Sequence, residues 1–163
     1  MMARTVLVAL VALTMTLSMC LTTGLEEGED APDFSINDVE GISHSLEDYS
    51  GKVLVIEFFA TWCTYCTDQL PEMKDVRDKY KESEVSILMV DNDDRESKDK
   101  VADYRVKYDI PWPVAHQGGS MAQEYLVDAI PTTVVIDQEG QVQYYHTGST
   151  TAEKLEKAID ELV

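Results

Sequence analysis

A strand-like run rich in β-branched and aromatic residues, 53–59, ends four residues before the pair Cys63-Thr64-Tyr65-Cys66, and this junction constrains the chain more than any other stretch. The run has the length of a buried strand, while the polar, proline-containing run after Cys66 reads as a helix over 69–81, so both cysteines sit at a strand-to-helix turn. The first N–H groups of a helix lack partners and its dipole favours negative charge, which stabilises a Cys63 thiolate relative to a free thiol of pKa about 8.5. A dipole contribution of up to ~2 kcal/mol corresponds to roughly 1.5 pKa units. Cys63 is placed to attack and Cys66 to resolve.

Two other uses of a CxxC pair stand beside the dithiol reading. Four-ligand zinc needs a second ligand pair, and His44, His116 and His146 stand singly with no second CxxC, so the sequence names no metal ligand set. A structural disulfide is the other, although such bridges usually staple distant segments.

The stretch from Glu57 to Cys66, Glu-Phe-Phe-Ala-Thr-Trp-Cys-Thr-Tyr-Cys, is followed far downstream by Ala129-Ile-Pro-Thr-Thr-Val-Val-Ile-Asp-Gln-Glu-Gly140. Together they resemble the thioredoxin superfamily, and within it the extracytoplasmic thiol-disulfide oxidoreductases of the TlpA and ResA type, related to the redoxin or AhpC/TSA group. An Ala31-Pro-Asp-Phe opening and a Gly51-Lys-Val-Leu-Val strand extend the likeness over 31–163. The resemblance implies a thioredoxin-like α/β fold, a mixed central sheet flanked by helices on both faces. It implies no cofactor beyond the redox-active Cys63–Cys66 disulfide. The implied partners are exported proteins carrying disulfides, an apocytochrome c among them, and a membrane thiol donor that supplies electrons.

Glu57 lies six positions before Cys63, among apolar neighbours that argue for burial. A buried carboxylate with no nearby cation has a raised pKa and exchanges protons near neutrality. Thioredoxins carry an acid at the matching position, so Glu57 reads as general acid/base for Cys66; its plain alternative is a rim carboxylate facing solvent. The resemblance further implies that Pro131 follows a cis bond and lies against the cysteine pair, leaving Ile130 and Thr132 beside it to pair with an extended client; a loop proline is the plain alternative. Trp62 reads as packing beside the sulfurs and shielding them, or as a core tryptophan. Thr64-Tyr65 departs from the pattern, in which proline often precedes the second cysteine, and leaves the direction of electron flow open.

The N-terminal 1–24 stand apart. Arg4 precedes an uncharged apolar run over 5–21, and acids follow at 26–30, the arrangement of an export leader or membrane anchor with the domain outside the cytoplasm. Leu17-Ser18-Met19-Cys20 resembles a lipoprotein cleavage box, which would lipidate Cys20; an inert Cys20 within an apolar helix is the alternative. Residues 25–30 read as an acidic linker and 31–163 as one domain, a length that suits a single core. A formal charge of -18 makes nucleic acid or an anionic membrane surface a poor partner.

Within the domain, strands are expected at 53–59 and 85–91, helices at 97–108 and 120–125, a short edge strand at 112–115, a hairpin from 132–137 to 141–146, and an amphipathic helix over 150–163. Other chemistries use the same residues. A thiol peroxidase wants Pro-x-x-x-Thr-x-x-Cys, and Thr61 lies two rather than three positions before Cys63. Run in reverse the pair serves an oxidant or isomerase, and a non-enzymatic chaperone would bind copper through it, although no methionine cluster lies beside the pair.

Overall fold

The computed structural model describes residues 24–163. The expected leader and Cys20 lie outside the described residues, Gly24 excepted, and among the described residues no helix is long and apolar enough to cross a membrane.

The chain runs β1 (Ser35–Asn37), β2 (Ser43–Ser45), β3 (Val53–Phe59), α1 (Thr64–Lys79), β4 (Val85–Asp91), α2 (Lys98–Lys107), β5 (Val114–Ala115), α3 (Gly119–Glu124), β6 (Thr132–Ile136), β7 (Val142–Thr147) and α4 (Ala152–Asp160). A five-stranded sheet in the order β5-β4-β3-β6-β7 forms the centre. β3, β4 and β5 are parallel, whereas β6 pairs antiparallel with both β3 and β7, giving the mixed sheet expected of the fold.

β3 and β4 are buried along their whole length, as strands covered on both faces must be. Alternation along β3 divides the core in two. Val53, Val55 and Phe59 face one cluster with Leu70, Met73 and Val76 of α1, Val101 and Tyr104 of α2, and Leu155 and Ile159 of α4. Leu54, Ile56 and Phe58 face the other, with Met121 and Ala122 of α3 and the aromatic rings of Phe34, Tyr49 and Tyr125. Tyr125 is fully buried, and its hydroxyl donates to the carbonyl of Pro32 at 2.8 Å, fastening the N-terminal segment over this face. Burying each such ring contributes about 1.5–3 kcal/mol.

The β1–β2 hairpin folds back on the sheet edge: the Val39 N–H donates to the Val114 carbonyl at 2.9 Å, so β5 does not end in open ladder groups. Its turn is closed by Asp38, whose Oδ1 accepts the N–H groups of Glu40 and Ile42.

One boundary differs in a way that matters. Apolar spacing places the first helix at 69–81, but α1 begins at Thr64. Thr64 and Tyr65 are exposed and leave no periodic trace, while Cys63 occupies the N-cap and its sulfur accepts the Cys66 N–H. Pro71 stays inside the helix without ending it. Cys66 is therefore in the first turn of α1, not in the loop before it.

Candidate active site

After Phe59 the chain turns through residues 60–62, and the Cys63 N–H donates to the Ala60 carbonyl at 3.1 Å. Cys63 then caps α1: the Cys66 N–H reaches its Sγ at 3.1 Å, and its carbonyl accepts the Thr67 N–H at 3.1 Å. The sulfurs of Cys63 and Cys66 are joined, with Cα atoms 5.3 Å apart. Cys63 is 6% exposed and Cys66 1%, so both are buried and Cys63 is the nearer of the two to solvent. The first turn of α1 carries no acid and its last turn carries Arg77 and Lys79, so the helix's own terminal charges leave its positive end at Cys63 uncompensated. When the bridge is open, negative charge on that sulfur is favoured by the dipole and by the first N–H groups.

Glu57 is on the strand that leads to the pair. It lies on the face of β3 shared with Val55 and Phe59, the face that packs the cluster containing both cysteines. It is 1% exposed, which excludes the rim position. Its strand neighbours are Met89 on β4 and Thr133 on β6. The Thr133 hydroxyl donates to Oε2 at 2.6 Å, and Oε1 has no hydrogen-bond partner among the described residues. Burial pushes the carboxyl up to about 8, against the smaller opposing effect of the Thr133 hydrogen bond. A group that holds its proton at neutral pH and releases it just above is suited to proton exchange.

The remaining expected residues are distributed as follows. The Ile130–Pro131 bond is cis. Ile130 is half-buried and packs against both core clusters, including the one that holds the cysteines. Thr132 is buried opposite Phe58 on β3, and its hydroxyl donates to the Ala129 carbonyl at 2.7 Å. Trp62 is not a core residue: it is 60% exposed, with its indole N–H donating to Asp93 Oδ2 at 2.9 Å. Tyr65 is exposed as a surface ring. Trp62 and Tyr65, one just before and one two residues after Cys63 in the chain, both expose their rings to solvent.

Three acids at and just after the end of β4 have no role assigned from the sequence. Asp91 is fully buried at the end of β4, opposite Phe59, and burial pushes its carboxyl up to about 7, with Glu96 and Asp93 adding to the rise. Glu96 is buried and accepts from both the N–H and the hydroxyl of Thr61. Asp93 joins the Arg95 guanidinium, which with the Trp62 indole holds its carboxyl well below the usual range. The only local signal is Asp91 itself, an acid closing an otherwise apolar strand. Gln69, also buried, accepts the Thr150 N–H at 2.9 Å and so ties the entry of α4 to α1.

Comparison with known proteins agrees with this geometry. The AhpC/TSA family model matches residues 28–145. Thiol-disulfide oxidoreductase ResA of Bacillus thuringiensis subsp. konkukian is 35% identical over 139 residues, covering 85% of this chain and 79% of the relative. Thioredoxin-like protein YneN of Bacillus subtilis is 30% identical over 137 residues, 84% and 81% of the two chains. Among solved structures, a Chlorobium tepidum protein assigned as the thiol:disulfide interchange protein DsbE superimposes with a TM-score of 0.76 at 29% identity, covering 85% of this chain and 98% of its own. With a CxxC pair bridged at the cap of α1 and relatives of this kind, the chain belongs to the AhpC/TSA family and is a thioredoxin-fold thiol-disulfide oxidoreductase related to ResA.

Proposed function

We propose that the protein reduces disulfides of exported proteins, with Cys63 attacking and Cys66 resolving. The observation that carries this reading is the asymmetry of the pair: Cys63, the less deeply buried residue, is the helix cap, and Cys66 lies within the first turn of α1 in the core cluster faced by the side of β3 that carries Glu57.

The Cys63 thiolate attacks one sulfur of the client disulfide, forming a mixed disulfide and releasing a client thiolate, which takes a proton from solvent. Cys66 then loses its proton to the Glu57 carboxylate, directly or through a bridging water, and attacks Cys63 Sγ. The mixed disulfide breaks, the second client sulfur leaves as thiolate, and the Cys63–Cys66 bridge forms. Two electrons pass to the client, and a thiol donor must return them to the pair. Trp62, Ile130 and Pro131 are assigned to docking an extended client beside Cys63, supported by the exposure of the Trp62 ring and the half-burial of Ile130 next to the cysteine cluster, while Thr132, which is buried, is assigned to holding this element through its hydrogen bond to the Ala129 carbonyl.

Placement outside the cytoplasm rests on Arg4 before, and acids after, the apolar run of the leader. A tether through that segment, retained or lipidated at Cys20, a membrane thiol donor and clients such as apocytochrome c complete the reading.

An oxidant or isomerase would use the same residues in reverse. The test is the equilibrium potential of the pair in the full chain against glutathione and dithiothreitol buffers. A value near or below about -250 mV supports the reductant, and one above about -180 mV assigns the pair to oxidation or isomerisation.

A further inference from the structure

The two residues immediately before Cys63 are both gripped by a single loop, 92–97, between β4 and α2. Thr61 donates its backbone N–H to Glu96 Oε2 at 2.8 Å and its hydroxyl to Oε1, so both oxygens of a buried carboxyl engage one residue from 35 positions away. Trp62 donates to Asp93, itself forked by Arg95. The loop is braced in turn: the Asn92 N–H donates to the Phe59 carbonyl, the Asp93 N–H to Asp91 Oδ1, and the Glu96 N–H to the Asp93 carbonyl.

Burying a carboxylate is costly unless its oxygens are satisfied, and here they are satisfied by the turn that carries the nucleophile. Lys100 pairs with the same carboxyl. Burial alone would raise the Glu96 carboxyl, but Lys100 and Thr61 outweigh it and hold it below its ordinary value, so Glu96 is an ionised acceptor at neutral pH.

We propose that Glu96 is a positioning residue of the dithiol reaction: by clamping Thr61 it fixes the turn over 60–63, and together with Asp93 on Trp62 it presents the Cys63 sulfur and the Trp62 ring to an incoming disulfide as one preformed surface. The link to the sulfur is short, since the same turn carries the Ala60-to-Cys63 hydrogen bond that sets the cap of α1. Glu96 touches neither client nor reacting sulfur and acts only through Thr61. The inference rests on the dithiol reading, and the wild-type rate in the same assay reports on that reading separately.

The test compares Glu96→Ala, Glu96→Gln, Thr61→Val and the Glu96→Ala/Thr61→Val double variant in the full chain, with oxidised insulin as the disulfide and dithiothreitol as recycling reductant. Glutamine can accept the Thr61 N–H and donate to its hydroxyl oxygen, so it should keep kcat/KM within about threefold of wild type, whereas alanine should lower it about tenfold. Thr61→Val should lose part of the rate, and adding it to Glu96→Ala should cost nothing more, because both remove the same clamp. The proposal is overturned by a wild-type rate in Glu96→Ala, by glutamine falling as far as alanine, or by losses that add in the double variant. If Glu96→Ala does not fold, the other single variants decide: a slowed Thr61→Val with an active Glu96→Gln supports the clamp, and Thr61→Val at the wild-type rate removes it.

Discussion

The Thr133 hydroxyl donates to the buried carboxyl of Glu57 at 2.6 Å, from the neighbouring strand β6 onto the strand that leads to the cysteine pair. That one hydrogen bond is the polar contact found for a group whose burial dominates its behaviour, and it shapes how both stability and chemistry respond to pH.

Glu57 is held up to about 8 in the fold against an ordinary value of 4.5. Between those values the unfolded chain has released a proton that the native chain retains, so stability falls as pH rises from about 4.5 to 8 and levels off above. Glu57→Gln removes the titration. Its unfolding free energy relative to wild type should be nearly constant below pH 4.5, then climb by a few kcal/mol in the variant's favour by pH 8 to 9, read by urea unfolding across that range. A difference independent of pH would show that the carboxyl titrates normally.

The same substitution bears on the second chemical step. With no base to take the Cys66 proton, decay of a preformed mixed disulfide should slow about tenfold to hundredfold in Glu57→Gln, and the rise of the rate through pH of about 8 should disappear. Rapid-quench measurement of the mixed disulfide would report this. An unchanged decay rate would confine Glu57 to a structural part.

Thr133→Val keeps the shape and removes the donor. Because the hydroxyl lowers the Glu57 carboxyl, its loss should raise that group further and widen the pH interval over which stability declines. The gap in Tm between pH 5.5 and pH 9 should therefore be larger in the variant than in wild type. A general cost of about 0.5–1.5 kcal/mol for the lost hydrogen bond is expected at both pH values. An equal gap would mean that the hydroxyl does not act on the carboxyl.

The different placement of the two cysteines, Cys63 at the cap and Cys66 inside the first turn of α1, makes their variants unequal. Cys66→Ser should accumulate a covalent adduct with a disulfide peptide, visible on non-reducing electrophoresis and released by dithiothreitol, whereas Cys63→Ser should form little or none. Comparable adducts from both variants would contradict the assignment of attacker and resolver.

Much of this architecture is written locally. The apolar run over 53–59, the second over 85–91 and the turn Gln138-Glu139-Gly140 between β6 and β7 each carry their own period and punctuation, so strand, strand and hairpin are legible without knowledge of their neighbours. The CxxC pair and the Ile130-Pro131-Thr132 element are legible for the same reason, being short motifs complete in themselves. Burial of Glu57 follows from its place within an apolar strand.

Contacts between distant segments are another matter. Thr133 meets Glu57 only because β6 inserts antiparallel beside β3 in the register that sets the two opposite each other. Glu96 and Asp93 reach Thr61 and Trp62 only because β4 lies on the other side of β3 and ends level with it, Phe59 against Asp91. The early start of α1 likewise depends on a cap supplied by a sulfur, with exposed residues that leave no hydrophobic trace. The sequence by itself determined the CxxC pair and the buried acid, each by patterning within one segment, and the fold class through the likeness that its separated motifs carry. The tertiary structure decided what each of them touches, since strand order and register place side chains from positions 31 to 76 residues apart within hydrogen-bonding distance.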